Sequence, residues 1–391
     1  MASSINSTSA GNGGLISTGD DSGILNIQTN ETTAISISAS QVVTLTNVLA
    51  EASGGTGTTT GYYGFKNRLI NGAMGIGQRA TAATNVTLNG PGYTTVDRFF
   101  SYQNTTVGVQ TSQVASGLSG FQYALKWGRP VSNTTTGITV IGQAIETANS
   151  IDLQGQSVTF SFWAKCGANF SSSGSGIAVQ VFTGTGTDQS SVLMVSSSWT
   201  GSATPINTSA TLTTSWQQFT FTGTFGASIT QAGVYFNWSP VGTAGADDNV
   251  YITGVQLEKG SKATSFDYRP FGTELQLCQR YYEKSYNLDI VPGTNSNLGL
   301  TYASVGSNIV PNNYGFMTMV FKVTKRSNPT MVIYSPAGTA NRVGDGDQTT
   351  YATVGTQAVG MGRAVVQSAF GSNLNPSAGM TTAHFTADSE L

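Results

Sequence analysis

The feature that most constrains this chain is a succession of short runs in which apolar and polar residues alternate with period two. In "SVTFSFWAKC" the alternation puts Val158, Phe160, Phe162 and Ala164 on one face and Ser161, Trp163 and Lys165 on the other. Related runs are "FQYALKW", "ITVIGQAI", "IAVQVF", "WQQFTFTGTF", "AGVYFNW" and "NVYITGVQLEKG", followed later by "LGLTYASV", "YGFMTMVFKVT", "TMVIYSP", "TYATVGTQAV", "RAVVQSAF" and "TAHFTADSEL". Turn signals separate them. Many short strands at regular spacing imply an all-β chain built on an antiparallel jelly roll or β-sandwich.

Composition agrees with strands and turns. Only 9% of the 391 residues are charged, against a typical share of about 25%, and 48 are glycine. A disordered chain would combine low hydrophobicity with high net charge, whereas here 38% of residues are hydrophobic and the net charge is -2. There is no basic excess to neutralise a phosphate backbone, so nucleic acid is not an expected partner. No apolar run approaches the roughly 20 residues of a membrane span, so no membrane insertion is expected, and the first residues lack the basic region and hydrophobic core of a signal peptide. Cys166 and Cys278 lie far apart in apolar contexts and read as reduced, buried small hydrophobes.

Along the chain, the first sixty or so residues contain no Lys or Arg, the first being Lys66. Their runs "GILNIQT", "TAISISA" and "VVTLTN" offer small apolar faces: Leu25 with Ile27, Ile35 with Ile37, and Val43 with Leu45. Such faces cannot bury a core within one chain, since isolated hairpins are marginal. Three chains wound together can, which predicts an intertwined β shaft in a homotrimer over 1–60. "EASGGTGTTTG" over 51–61 reads as a joint, because its glycines allow sharp changes of direction. A carbohydrate-binding-like jelly roll is expected over 61–270. A connecting helix in "FGTELQLCQRYYEKSY" then opens a C-terminal β-sandwich domain over 271–391. Thr273 and Gln276 have the spacing of a capping box, and Leu275, Cys278 and Tyr282 would share one helix face.

Little reaction chemistry is on offer. His384 is the only histidine, and it alternates with Ala383 and Phe385 as on a strand face. A Ser-His-Asp or Cys-His site would have to be organised around it. Zinc needs more His and Cys ligands than exist. The acidic pairs Asp247 with Asp248 in "AGADDNVY" and Asp345 with Asp347 in "VGDGDQ" sit in Gly-flanked loops. They suit turn chemistry, calcium ligation by oxygen, or the paired carboxylates of glycan hydrolysis. For glycan binding, Trp163 lies on the polar face of its strand and Tyr235 lies opposite Val234, Phe236 and Trp238, so both are candidate platforms. Each has a second reading, burial under a loop or in a subunit interface. The expectation is a protein without catalytic activity.

Taken in order, several segments resemble bacteriophage tail fibre proteins. "MASSINSTSAGNGGLISTGDDSGILNIQT" followed by "VVTLTNVLAEASGGTGTTTG" is similar to their virion-proximal shaft. "NRLINGAM…QR…VDRFF" with "FSFWAK…YITGVQLEKG" resembles their carbohydrate-binding-module-like middle domain, and "RPFGTELQLCQRYYEKS" with "FTADSEL" resembles their C-terminal portion. The resemblance implies a virion protein assembled in the host cytoplasm. It would be trimeric, joined through its N-terminus to tail adaptor or nozzle proteins, and in contact with a host surface glycan or other receptor through distal domains. It assigns no individual binding residue. Two other classes stay open at this point, a capsid decoration or head fibre and a polysaccharide depolymerase.

Overall fold

The alternating runs become antiparallel strands throughout the computed structural model, which describes residues 24–29, 32–40, 42–45, 65–86, 92–103, 108–304, 314–345, 351–369 and 380–391. The chain divides into two compact units, Met1–Tyr63 and Gly64–Leu391. The Gly-rich joint at 51–61 lies outside the described residues.

In the first unit, β1 (Leu25–Thr29), β2 (Thr32–Ile37) and β3 (Val43–Leu45) form one sheet in that order. Leu25 pairs with Ile37 and Ile27 with Ile35, while Ile35 pairs with Leu45 and Ile37 with Val43. Directly paired residues share a sheet face. All six aliphatic residues therefore line one side, and the polar residues between them line the other.

The second unit begins with twelve strands. They are β4 (Ala82–Val86), β5 (Gly92–Tyr93), β6 (Phe100–Gln103), β7 (Val109–Leu118), β8 (Phe121–Gly128) and β9 (Thr139–Ile145), then β10 (Ser157–Cys166), β11 (Gly176–Gly184), β12 (Ala203–Thr211), β13 (Gln217–Thr224), β14 (Gln231–Trp238) and β15 (Asn249–Lys259). They make two six-stranded sheets, ordered β13-β10-β15-β8-β7-β4 and β12-β11-β14-β9-β6-β5. Between the sheets the inward faces meet as the alternation requires. Val158, Phe160, Phe162 and Ala164 are fully buried, together with Val234, Phe236, Trp127 and Trp238. The Phe162 and Phe236 rings meet edge to face at 4.8 Å. Each such side chain contributes roughly 1.5–3 kcal/mol by leaving water, so this sandwich core dominates the unit's stability.

A second apolar cluster lies on the outer side of the β14 sheet. There Phe182, Tyr235, Met194, Trp199 and Leu391 pack together, Met194 coming from the short helix α1 (Ser191–Val195). Leu391 is tied down as well, its carbonyl accepting from the Ser191 hydroxyl at 2.9 Å.

The connecting helix α2 spans Phe271–Gln279. Its predicted capping box does not form. Pro270 occupies the N-cap and has no side-chain hydroxyl or carboxyl to offer, so Thr273 falls inside the first turn. Tyr282 lies beyond the helix, on β16 (Tyr282–Lys284), because the helix ends at Gln279. Leu275 and Cys278 do share a buried face, packed with Ile70, Ile76 and Tyr281. Cys166 and Cys278 are buried and unpaired.

The remaining strands are β17 (Thr301–Ser304), β18 (Tyr314–Val320), β19 (Thr330–Tyr334), β20 (Arg342–Asp345), β21 (Tyr351–Val359), β22 (Arg363–Ala369) and β23 (Met380–Asp388). With β16 they form an eight-stranded sheet in which β23 pairs with β16, β17, β19 and β20. The β regions before and after α2 fall within the same compact unit.

A buried polar seam joins them. Asn71 donates to the carbonyls of Ile76 and Asp97, and Gln78 bonds both Asp97 and the Tyr282 carbonyl. Arg79 reaches Asp388 at 2.9 Å and lies over the Tyr282 ring, and Arg280 holds Glu146 at 3.0 Å.

Candidate functional site

The outer face of the β10–β15–β8 sheet carries the first candidate. Trp163 is half-buried there, opposite Gln218 on β13 and Thr253 on β15. A bulge between Ser161 and Trp163 is accommodated by Gly254 at φ +60°. A Cβ at Gly254 would lie 2.7 Å from Phe121 and 3.0 Å from Trp163, so the two rings crowd over a glycine. The β7–β8 hairpin leans toward the same region, since its Ser116 carbonyl accepts from the Trp216 indole at 3.0 Å. Trp163 therefore keeps part of its ring open beside this hairpin.

The next row across this face alternates aromatic and cationic groups. Lys165 pairs with Tyr251, and Tyr251 pairs with Lys126. The Lys165 ammonium lies 5.2 Å from the Trp216 ring centre and 5.0 Å from that of Tyr251. Both distances are within cation–π range. The Tyr251 hydroxyl donates to Asp247 at 2.8 Å. Burial and that carboxylate raise the tyrosine's pKa, so the phenol stays protonated.

A second candidate was not legible in the strand pattern. Residues 67–76, the β8 start and the segment 266–274 enclose a cleft of about 230 Å³. Its walls carry Tyr123, Phe266, Tyr268 and Phe271, with Gln122, Asp267, Arg269 and Glu274 at its polar positions. Phe121, Phe266 and Tyr268 form a triad with ring centres 4.8–5.4 Å apart. Hydrogen bonding from the Tyr268 hydroxyl to the Gly120 carbonyl fixes that ring. Tyr268 and Phe271 remain 54% and 59% exposed, so both present open ring surface beside the cleft they line. The carboxylates of the cleft are engaged. Asp267 accepts the Asn67 amide at 3.1 Å, and Glu274 accepts from the Asn71 amide and from Arg269. The signal that marks this site in the sequence is three aromatics within "FDYRPF", outside any alternating run.

Tyr235 is corrected as a platform. It is 7% exposed and stacked on Phe182 at 5.2 Å, because α1 and Leu391 cover the outer face of its sheet. The calcium reading is corrected at Asp248, whose two oxygens are taken by protein donors, and Asp247 has one oxygen engaged in the same way. Asp248 is fully buried and accepts from Arg129 at 2.7 Å and from the amide and hydroxyl of Ser171. Asp247 accepts from Asn249 at 2.9 Å as well as from Tyr251. Asp345 ends β20 opposite Thr381, and Asp347 lies outside the described residues. No group of three or more His, Cys, Asp or Glu side chains comes together among the described residues.

His384 is fully buried and stacked on Tyr286 at 3.6 Å. Its Nε2 donates to the Ser296 carbonyl at 2.9 Å, and its Nδ1 bonds the Ser285 hydroxyl at 3.0 Å. Burial lowers its pKa from the usual 6.5. Among the described residues no carboxylate bonds this Ser–His pair, and the imidazole packs within β23 and its neighbours.

Comparison with known proteins returned no matching family model and no matching curated protein. Among solved structures the chain is similar to the enzymatically active domain of bacteriophage CBA120 tailspike protein 4, at 14% identity and TM-score 0.31 over 50% of this chain. That match spans 21% of the tailspike domain's own length. A CBM4 structure matches at 18% identity and TM-score 0.29, covering 49% of this chain and 98% of the module. The CBM22-1 xylan-binding domain of Paenibacillus barcinonensis Xyn10C matches at 13% identity and TM-score 0.27, covering 47% of this chain and all of that domain.

Proposed function

We propose that this chain is a non-catalytic, glycan-binding fibre protein of a bacteriophage virion, carried on the tail as a homotrimer. In this reading residues 1–60 join it to tail adaptor or nozzle proteins, and the β-sandwich meets the host surface. The observation that carries the glycan-binding reading is the aromatic cleft at Tyr268 and Phe271. Open aromatic rings beside fixed polar groups match the two faces of a sugar, whose C–H patches stack and whose hydroxyls hydrogen-bond.

The same cleft supports a binding role over hydrolysis. Glycoside cleavage uses one carboxyl as acid and a second as base or nucleophile, each free to act at the scissile bond. Asp267 and Glu274 are instead committed to backbone amides and, for Glu274, to Arg269. Tail attachment rests on the motif succession from the shaft to "FTADSEL". Weak individual sites would be summed by several trimers on one particle.

The test is affinity electrophoresis through gels containing host surface polysaccharide. Wild type is retarded, and Tyr268→Ala and Phe271→Ala each lose most of the retardation while keeping the wild-type circular dichroism spectrum. Equal mobility of all three, or release of new reducing ends from the polymer, overturns the reading.

A further inference from the structure

The sheet face beside the cleft carries a charge pattern that the aromatic cleft does not use. Trp216, just before β13, is followed by Lys165 on β10, Tyr251 on β15 and Lys126 on β8. Ala164, Cys166, Leu125, Trp127, Val250 and Ile252 alternate with them into the core, so the row points outward. The chain has only 17 Lys and Arg residues, and two stand on either side of one tyrosine.

Neither ammonium has a hydrogen bond or ion pair to a carboxylate among the described residues. The nearby acid, Asp247, spends one carboxylate oxygen on Tyr251 and Asn249 and makes no ion pair with either lysine. Several other cations of this unit do have carboxylate partners, among them Arg129 with Asp248, Arg280 with Glu146, Lys325 with Glu283 and Arg98 with Glu390.

We propose that this row binds an acidic glycan, with Lys165 and Lys126 receiving carboxylate or sulfate groups and Trp216, Tyr251 and Trp163 receiving sugar rings. Two strand spacings separate the lysines, about 10 Å, so they address acidic groups on different sugars of a chain. Lys165 held between two rings loses little freedom on binding, which favours a defined contact over a diffuse positive surface. The inference builds on the glycan-binding reading and adds a charge class and a second contact face.

The experiment pairs polymers of equal backbone and different charge: polygalacturonate with its methyl ester, and dextran sulfate with dextran. Binding is read by isothermal titration at low and at 0.2 M salt. The wild type binds the charged member of at least one pair more tightly, and salt weakens it. Which pair responds separates carboxylate from sulfate recognition. Lys165→Gln and Lys126→Gln each weaken that binding roughly tenfold, as expected for loss of a charge-assisted hydrogen bond. Folding is monitored by melting temperature, which these exposed-face changes leave in place.

Charged and neutral partners binding alike, with no effect of the lysine changes, overturns the acidic class. If Tyr268→Ala still reduces that binding, the glycan reading survives alone. Absence of binding to all four polymers overturns the proposal.

Discussion

The guanidinium of Arg98 lies 3.5 Å from the centre of the Tyr281 ring and is ion-paired with Glu390. It also donates to the Ala144 carbonyl at 2.8 Å. One planar cation thus ties β9 of the sandwich, the junction between α2 and β16, and the segment after β23. At 1% exposure it has exchanged water for three protein contacts.

Replacing Arg98 by Met leaves Glu390 without its main partner in a buried site. Removal of one member of a buried pair costs roughly 3–5 kcal/mol, so the urea midpoint is expected to fall by a matching amount. Arg98→Lys is expected to recover only part, because an ammonium cannot stack on Tyr281 and reach both acceptors at once. An unchanged midpoint in Arg98→Met would contradict the assignment of the seam.

His384 makes acid sensitivity predictable. Its folded pKa is below the ordinary 6.5 because burial disfavours the charged ring. Between those two values the unfolded chain binds the extra proton, so stability falls as pH drops below about 6.5. Since this is the only histidine, the difference in unfolding free energy between wild type and His384→Gln isolates the effect. That difference is expected to shrink between pH 7.5 and pH 5; a constant difference would refute the argument.

Lys284 gives the opposite-side window. Its ammonium donates to the Leu288 and Ile290 carbonyls at 3.0 and 2.6 Å, and burial lowers its pKa to about 8. The folded chain releases this proton before the unfolded chain does, so the contribution to stability rises with pH from about 8 to about 10.5. Wild type is therefore expected to gain on Lys284→Met across pH 7.5 to 10, by up to about 3 kcal/mol. Urea midpoints of the two proteins along that pH series provide the measurement.

Asp248 tests the corrected metal reading. With its carboxylate fully buried against Arg129 and Ser171, Asp248→Asn is expected to cost about 3–5 kcal/mol. Adding calcium or a chelator should leave the wild-type melting temperature where it was. A calcium-dependent rise that disappears in Asp248→Asn would restore the ion.

The sandwich was legible in the sequence because strand alternation is local. Val158, Phe160, Phe162 and Ala164 face the core as the period demands, and Trp163 and Lys165 face away from it. Tyr235 takes the second of its two readings, burial, because its outward face is covered by α1 and Leu391, which no local pattern around β14 reveals. The cleft escaped for a similar reason, being assembled from three distant segments whose aromatics belong to no strand run. Several segments that carried the family resemblance supply the buried seam: Asn71 and Arg79, Asp97 and Arg98, Arg280, and Asp388 with Glu390. Those motifs carry packing contacts, which is why they point to a fold without naming a binding residue.

The first unit sets the last expectation, the homotrimer. Its sheet has strands of at most six residues, too small to be stable alone, yet it collects Leu25, Ile27, Ile35, Ile37, Val43 and Leu45 on one face. Leu25, Ile27, Val43 and Leu45 are 40–59% exposed within a single chain. Fully burying each such residue is worth roughly 1.5–3 kcal/mol, so a three-chain seam would recover apolar burial that one chain leaves in water. Light scattering of the purified protein should then give three times the 40.6 kDa chain mass. Ile27 and Ile35 face each other across β1 and β2, so changing both to Asp puts paired charges into the seam and should yield monomers. Near-ultraviolet circular dichroism from the tryptophans of the second unit should persist in those monomers. A wild-type protein that is monodisperse at the single-chain mass would remove the shaft from the proposal.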